Sequence, residues 1–67
     1  MTVARVTEIS ATSTQSFDDA AKQGIARATK TLRNVESAWI KDQTVSVEND
    51  AITHYRVNMV VTFVLED

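Results

Sequence analysis

The stretch HYRVNMVVTFVLED, residues 54–67, carries the plainest pattern in the chain. Tyr55, Val57, Met59, Val61, Phe63 and Leu65 are apolar, and they alternate with His54, Arg56, Asn58, Val60, Thr62 and Val64. A period of two is the signature of a β-strand, whose successive side chains point to opposite faces. The first set is uniformly apolar and is expected to face a core. The second set is mixed, and Val60 and Val64 make it too apolar for a fully wetted face. That half-apolar second face is the natural place for subunit contacts or a ligand.

The rest of the fold reads outward from this strand. Just upstream, ENDA (residues 48–51) contains Asn49 and Asp50, both tolerant of left-handed turn conformations. A turn there makes the last strand one arm of a hairpin, with Ala38 to Val47 as the other arm. Before that arm, Phe17, Ala21, Ile25, Ala28, Leu32 and Val35 recur at helical spacing and predict one apolar helix face. Ser16 is the expected N-cap, and Asp19, three residues on, gives a variant of the capping box. Asp18 and Asp19 suit the positive end of the helix dipole, and Lys30 and Arg33 suit the other end. Gly24 lies beside the apolar stripe, where its use is a close approach to another backbone. At the start of the chain Thr2 to Ile9 reads as a strand, followed by a loop, SATSTQS, over residues 10–16. The order is β-α-β-β. The expected class is α+β: a single domain over residues 1–67, with a three-stranded antiparallel sheet wrapped around one helix.

Composition narrows the function. The chain has 67 residues, a net charge of -2, one Gly, one His, no Pro and no Cys. This is a globular composition with no disulfide or thiolate chemistry, and it fits a reducing cytoplasm. The acidic balance argues against a nucleic-acid partner. No apolar run approaches the roughly 20 residues that span a bilayer. His54 has no Ser, Cys or paired carboxylate at catalytic spacing, so a binding protein is expected rather than an enzyme. A domain this small buries little apolar surface, and below roughly 70 to 80 residues disulfides, a metal or oligomerisation usually assist. Of these, oligomerisation is the device left open.

At this length and in this order, several segments together resemble the dodecin family. They are RVTEI and ATS before the helix, IARATKTLRNV at its end, the DQ-V-V pattern of the second strand, and HYRVNMVVTFVLED. The resemblance implies a hollow homododecamer that binds and sequesters a flavin, riboflavin or FMN. It also implies a mechanism of binding rather than catalysis. A Trp at the start of the second strand stacks on the isoalloxazine ring, paired flavins and Trp side chains meet at a two-fold axis, and a Gln of the third strand hydrogen-bonds the polar edge.

This chain departs from that pattern at both positions. The family Trp falls on Ser37 and the family Gln on Arg56, while the chain's own Trp39 stands two residues further on. Ser37 has a hydroxyl and no π surface. Arg56 has five donors and no acceptor. Residues 37 and 39 of a strand share a side, so Trp39 is expected on the ligand face, about 7 Å along from Ser37.

Each candidate carries two readings. Trp39 is a displaced stacking platform or a subunit-interface anchor. Arg56 binds an anion or pairs with a carboxylate of a neighbouring subunit. Ser37 touches the ligand or fills the space of a lost aromatic. Asp42, Gln43, Glu48 and Asp50 are oxygen donors that symmetry can gather around an axis, a set suited to a divalent cation such as Mg²⁺ or Ca²⁺. They equally make a solvated hairpin. The candidate ligand residues are therefore Ser37, Trp39, Arg56 and Gln43, and the candidate metal ligands are Asp42, Glu48 and Asp50. The alternative function is a dodecin-fold shell that has lost flavin and acts as a scaffold, or that holds another small ligand or a cation.

Overall fold

A computed structural model describes residues 2–65. Met1, Glu66 and Asp67, which the single-domain reading included, lie outside the described residues. The chain order is β1 (Ala4–Ser13), α1 (Phe17–Thr31), β2 (Val35–Glu48) and β3 (Ala51–Val64). The three strands form one sheet in the order β1-β3-β2, and both outer strands run antiparallel to β3. The strand with the clearest alternation is thus the central one. The fold is the expected β-α-β-β arrangement, α+β with one helix on one antiparallel sheet.

The alternation of β3 sorts its residues as expected. Val57, Met59 and Val61 are fully buried, and Tyr55 and Phe63 half-buried, on the face that carries the helix. Ala20 and Ala28 complete the core, with Ile9, Ala11, Phe17, Ala21 and Ile25 packed against its centre. Phe17 meets Tyr55 edge to face at 5.2 Å between ring centroids, a favoured aromatic geometry.

Four details correct the sequence reading. First, β1 continues to Ser13, so the expected loop shrinks to Thr14 and Gln15. Ala11, Thr12 and Ser13 pair with Val57, Arg56 and Tyr55, and this tertiary pairing overrides the small polar composition of the segment. Second, α1 stops at Thr31. Leu32 is its extended C-cap, donating its N–H to the Ala28 carbonyl, and Val35 opens β2 instead of closing the helix stripe. Asn34, at φ 59°, makes the reversal. Third, a Cβ on Gly24 would lie 2.5 Å from Met59 Cε and 3.0 Å from Ala11 Cβ. The close approach is therefore to side chains of the sheet, not to backbone. Fourth, Leu65 follows the end of β3 and is exposed.

The helix start is held twice. Ser16 Oγ accepts the Asp19 N–H at 3.0 Å, as a cap should. The Asp19 carboxylate does not close the box; it accepts from the buried Ser13 hydroxyl at 2.6 Å and from the Gln23 amide. Ser13 Oγ in turn accepts the Gln15 N–H at 2.9 Å. The end of β1 is thereby tied to the first turn of α1.

The helix lies over β1 and β3 and barely touches β2. Every residue of β2 after Val35 is exposed. Asn49 and Asp50 form the β2–β3 turn with φ of 52° and 63°, as their tolerance of left-handed backbone predicted.

Candidate functional site

The helix-free face of the sheet is built from rows set by strand register. Val60 pairs with Trp39 on one side and Glu8 on the other. The rows beside it are Ser37–Thr62–Val6 and Asp42–Asn58–Ser10, and beyond the latter comes Thr44–Arg56–Thr12. The even-numbered residues of β3 share the face opposite to buried Val57, Met59 and Val61, so Ser37, Trp39, Asp42 and Arg56 all lie on the open face. Trp39 is 66% exposed.

Bulges decide this grouping. Glu36 is the extra residue between Val35, paired with Phe63, and Ser37, paired with Thr62. Lys41 is the extra residue between Ile40, paired with Met59, and Asp42, paired with Asn58. A bulge places two residues of one strand against one of its partner. Lys41 and Asp42 consequently both serve the open face. Lys41 Nζ crosses β3 to Glu8 Oε1 at 3.2 Å. The Asn58 amide donates to Asp42 Oδ1. Alternation alone could not reveal these bulges, and they are the part of the site that sequence reasoning missed.

The structure separates two of the expected groupings. Gln43 pairs with Val57, a helix-side residue, and so lies on the opposite face of the sheet from Ser37, Trp39 and Arg56. Arg56 stands four residues along β3 from the Trp39 row, about 13 Å at roughly 3.3 Å per residue, and about 20 Å from the Ser37 row. Within one chain a ring stacked on Trp39 does not reach it. Arg56 is exposed and forms no ion pair among the described residues.

The acidic set is also spread out. Asp42 sits at the Asn58 row, while Glu48 pairs with Ala51 at the turn and Asp50 lies in the turn itself. Asp42 and Glu48 are six residues apart on β2, about 20 Å at roughly 3.3 Å per residue. No three His, Cys, Asp or Glu side chains among the described residues gather as a metal site. One chain therefore does not bring Asp42, Glu48 and Asp50 together, because strand spacing keeps them apart. His54 Nδ1 lies 3.1 Å from the Thr53 hydroxyl on the exposed end of β3.

A cleft of about 220 Å³ lies elsewhere, where the end of α1 meets the end of β3, lined by Leu32, Phe63, Val64 and Leu65 with Arg33 and Asn34. It contains none of the candidate residues. No helix among the described residues is long and apolar enough to cross a membrane.

The described residues thus form a small antiparallel sheet with one face covered by the helix and one open face that carries the exposed indole of Trp39. The dodecin family model matches residues 3–66, and the chain belongs to that family. Its structure is similar to dodecin from Streptomyces davaonensis, with 33% identity and a TM-score of 0.94 over 98% of this chain and 97% of that one. It is similar to a variant of the Thermus thermophilus dodecin, with 28% identity and a TM-score of 0.94 over the whole of both chains. It is also similar to a calcium dodecin from Mycobacterium tuberculosis, described as a calcium-chelating immunodominant antigen with a novel calcium-binding site. Identity there is 26% and the TM-score 0.83, over 96% of this chain and 91% of that one. No curated protein matches significantly.

Proposed function

We propose that the protein is a non-enzymatic binding shell, a hollow homododecamer that sequesters a flavin, riboflavin or FMN, with Trp39 as its stacking platform. The observation that carries this reading is the 66% exposure of Trp39 on the helix-free face, in the same file as Ser37. A large aromatic left bare on a rigid strand offers π surface at little cost in side-chain entropy. Close stacking on such a ring quenches the excited state of a bound chromophore, which suits storage of a light-sensitive molecule.

The exposed β2 strand supports assembly. Trp39, Ile40, Val45 and Val47 are large apolar residues left open on one edge strand. Long exposed edges of this kind pair or become covered. Closing the shell would set the Trp39 face of one subunit against that of another.

Titrating the protein into riboflavin and FMN, with oligomer size measured in parallel, tests this. Saturable loss of flavin and Trp39 emission at micromolar or lower concentration is expected, and Trp39→Ala should abolish it. Unchanged fluorescence from an intact oligomer would refute the flavin reading.

The similarity to a calcium-chelating dodecin favours a second reading, in which the shell holds a divalent cation or another ligand and no flavin. Asp42, Glu48 and Asp50 of several subunits would then meet at an axis. Elemental analysis, and a melting temperature that rises with Ca²⁺ but not with flavin, would favour it.

A further inference from the structure

We propose that the half of the open face nearest the β2–β3 turn is an anion site, in which Arg56 and the flanking hydroxyls of Thr12 and Thr44 hold a phosphate group. This site is separate from the Trp39 platform and does not rest on it. The ladders build its row. Thr12 of β1 and Thr44 of β2 both pair with Arg56, one on each side of the central strand. Directly paired residues stand about 4.5–5.5 Å apart at Cβ, so a hydroxyl lies on either side of the arginine stem. One row nearer the turn, Ser46 and His54 share the same face. All five side chains are exposed.

The acids nearby are turned elsewhere or out of reach. Glu8 Oε1 accepts from Lys41 Nζ at 3.2 Å. Asp42 stands one row from Arg56, about 7 Å along the strand, and turns to the Asn58 amide instead. Glu48 lies four residues beyond Thr44, about 13 Å at roughly 3.3 Å per residue. Arg56 thus keeps a permanent charge with no ion pair among the described residues. The Thr12 and Thr44 hydroxyls make no hydrogen bond among the described residues either. His54 Nδ1 is beside the Thr53 hydroxyl, which leaves Nε2 to the open side.

The donor set then selects the ligand. A guanidinium fork gives two parallel hydrogen bonds to a carboxylate or a phosphate. A carboxylate has two oxygens, and the fork uses both. A phosphate keeps further oxygens, and the two hydroxyls of the row are placed to donate to them. A phosphate resting on Thr12 and Thr44 is closed over by the longer arginine. Ladders on both sides of β3 fix these donors before any ligand arrives, which lowers the ordering cost of binding.

Inorganic phosphate, added to the native oligomer with chloride balancing the ionic strength, tests the site. A saturable rise in melting temperature is expected, and Arg56→Gln should remove it. Balanced ionic strength separates binding from screening, and the native protein's preference for phosphate over chloride needs no variant to fold. Titrating riboflavin and FMN against both proteins tells the source of the phosphate. If the native protein favours FMN about tenfold and Arg56→Gln abolishes that preference, the group arrives on the flavin. Equal affinities, with the response to inorganic phosphate kept, mean that it arrives free. If riboflavin leaves Trp39 emission unmoved while phosphate still stabilises, the platform falls and the anion site stands. If neither phosphate nor FMN distinguishes native protein from Arg56→Gln, the anion site falls. An oligomer that dissociates in Arg56→Gln, with a native protein indifferent to phosphate, overturns it too and gives Arg56 to a carboxylate of a neighbouring subunit.

Discussion

The two faces of β3 use the same 14 residues and the same alternation to opposite ends. Toward the helix, Val57, Met59 and Val61 are sealed, and small residues at Ala20, Gly24 and Ala28 let α1 descend onto them. Away from the helix, Arg56 is bare and Asn58, Val60 and Thr62 are half-covered, with Trp39 standing exposed beside Val60. The covered face is packed to density, so each methyl group there matters. The open face carries the indole, the Lys41–Glu8 pair and the Asp42–Asn58 pair, whose loss should leave the core intact. Stability and recognition are thus divided between the two sides of one strand.

Substitutions can break or sharpen that contrast. The largest effect is expected at Met59, which is fully buried. Met59→Ala should lower stability by about 2–5 kcal/mol, read by chemical denaturation. Ile40 pairs with Met59 across the β2–β3 ladder yet is 42% exposed, so Ile40→Ala should cost less than about 1.5 kcal/mol in the same assay. A loss as large as that at Met59 would show that another subunit buries β2.

Gly24→Ala sets two effects against each other. Overpacking against Met59 Cε and Ala11 Cβ costs about 1–3 kcal/mol, and better helix propensity returns up to about 1. A net loss of about 1 kcal/mol is expected, and it should shrink in a Met59→Ala background, where the clashing methyl is gone; a double-mutant cycle checks the coupling. Ser16→Ala removes the cap on the Asp19 N–H and should cost about 1 kcal/mol, seen as a lower melting temperature. The smallest effect belongs to the open face. Lys41→Ala breaks an ion pair half exposed at both ends and should change stability by less than about 0.5 kcal/mol. A larger loss would mean that the pair is desolvated by a neighbouring subunit.

Much of this was legible in the residues themselves. The period of two from Tyr55 to Phe63, the cap at Ser16 and the Asn49–Asp50 turn are local signals, because each depends on the backbone conformation of a few neighbouring residues. They determine the element order, which face of β3 is apolar, and that residues 37 and 39 share a side. Residues 10–13 and 35 were misread for the complementary reason. Small polar residues extend a strand when a partner such as Val57 is already laid out beside them, and Val35 leaves the helix because Leu32 and Asn34 turn the chain before it. Long-range pairing decides both.

The site divides in the same way. The sequence by itself determined that the chain carries one indole, two residues past the position the family pattern expects, and an arginine in place of a glutamine. Only the tertiary structure decided which side chains share a row. It put Trp39 on the open face with Asp42 and Asn58, sent Gln43 to the other face, and set Arg56 about 13 Å from the Trp39 row. The physical reason is the pair of bulges at Glu36 and Lys41. Each inserts one residue against a partner strand that does not match it and so flips the face of the side chains that follow, the Lys41 bulge reversing the flip made at Glu36, which no count of positions along β2 could foresee.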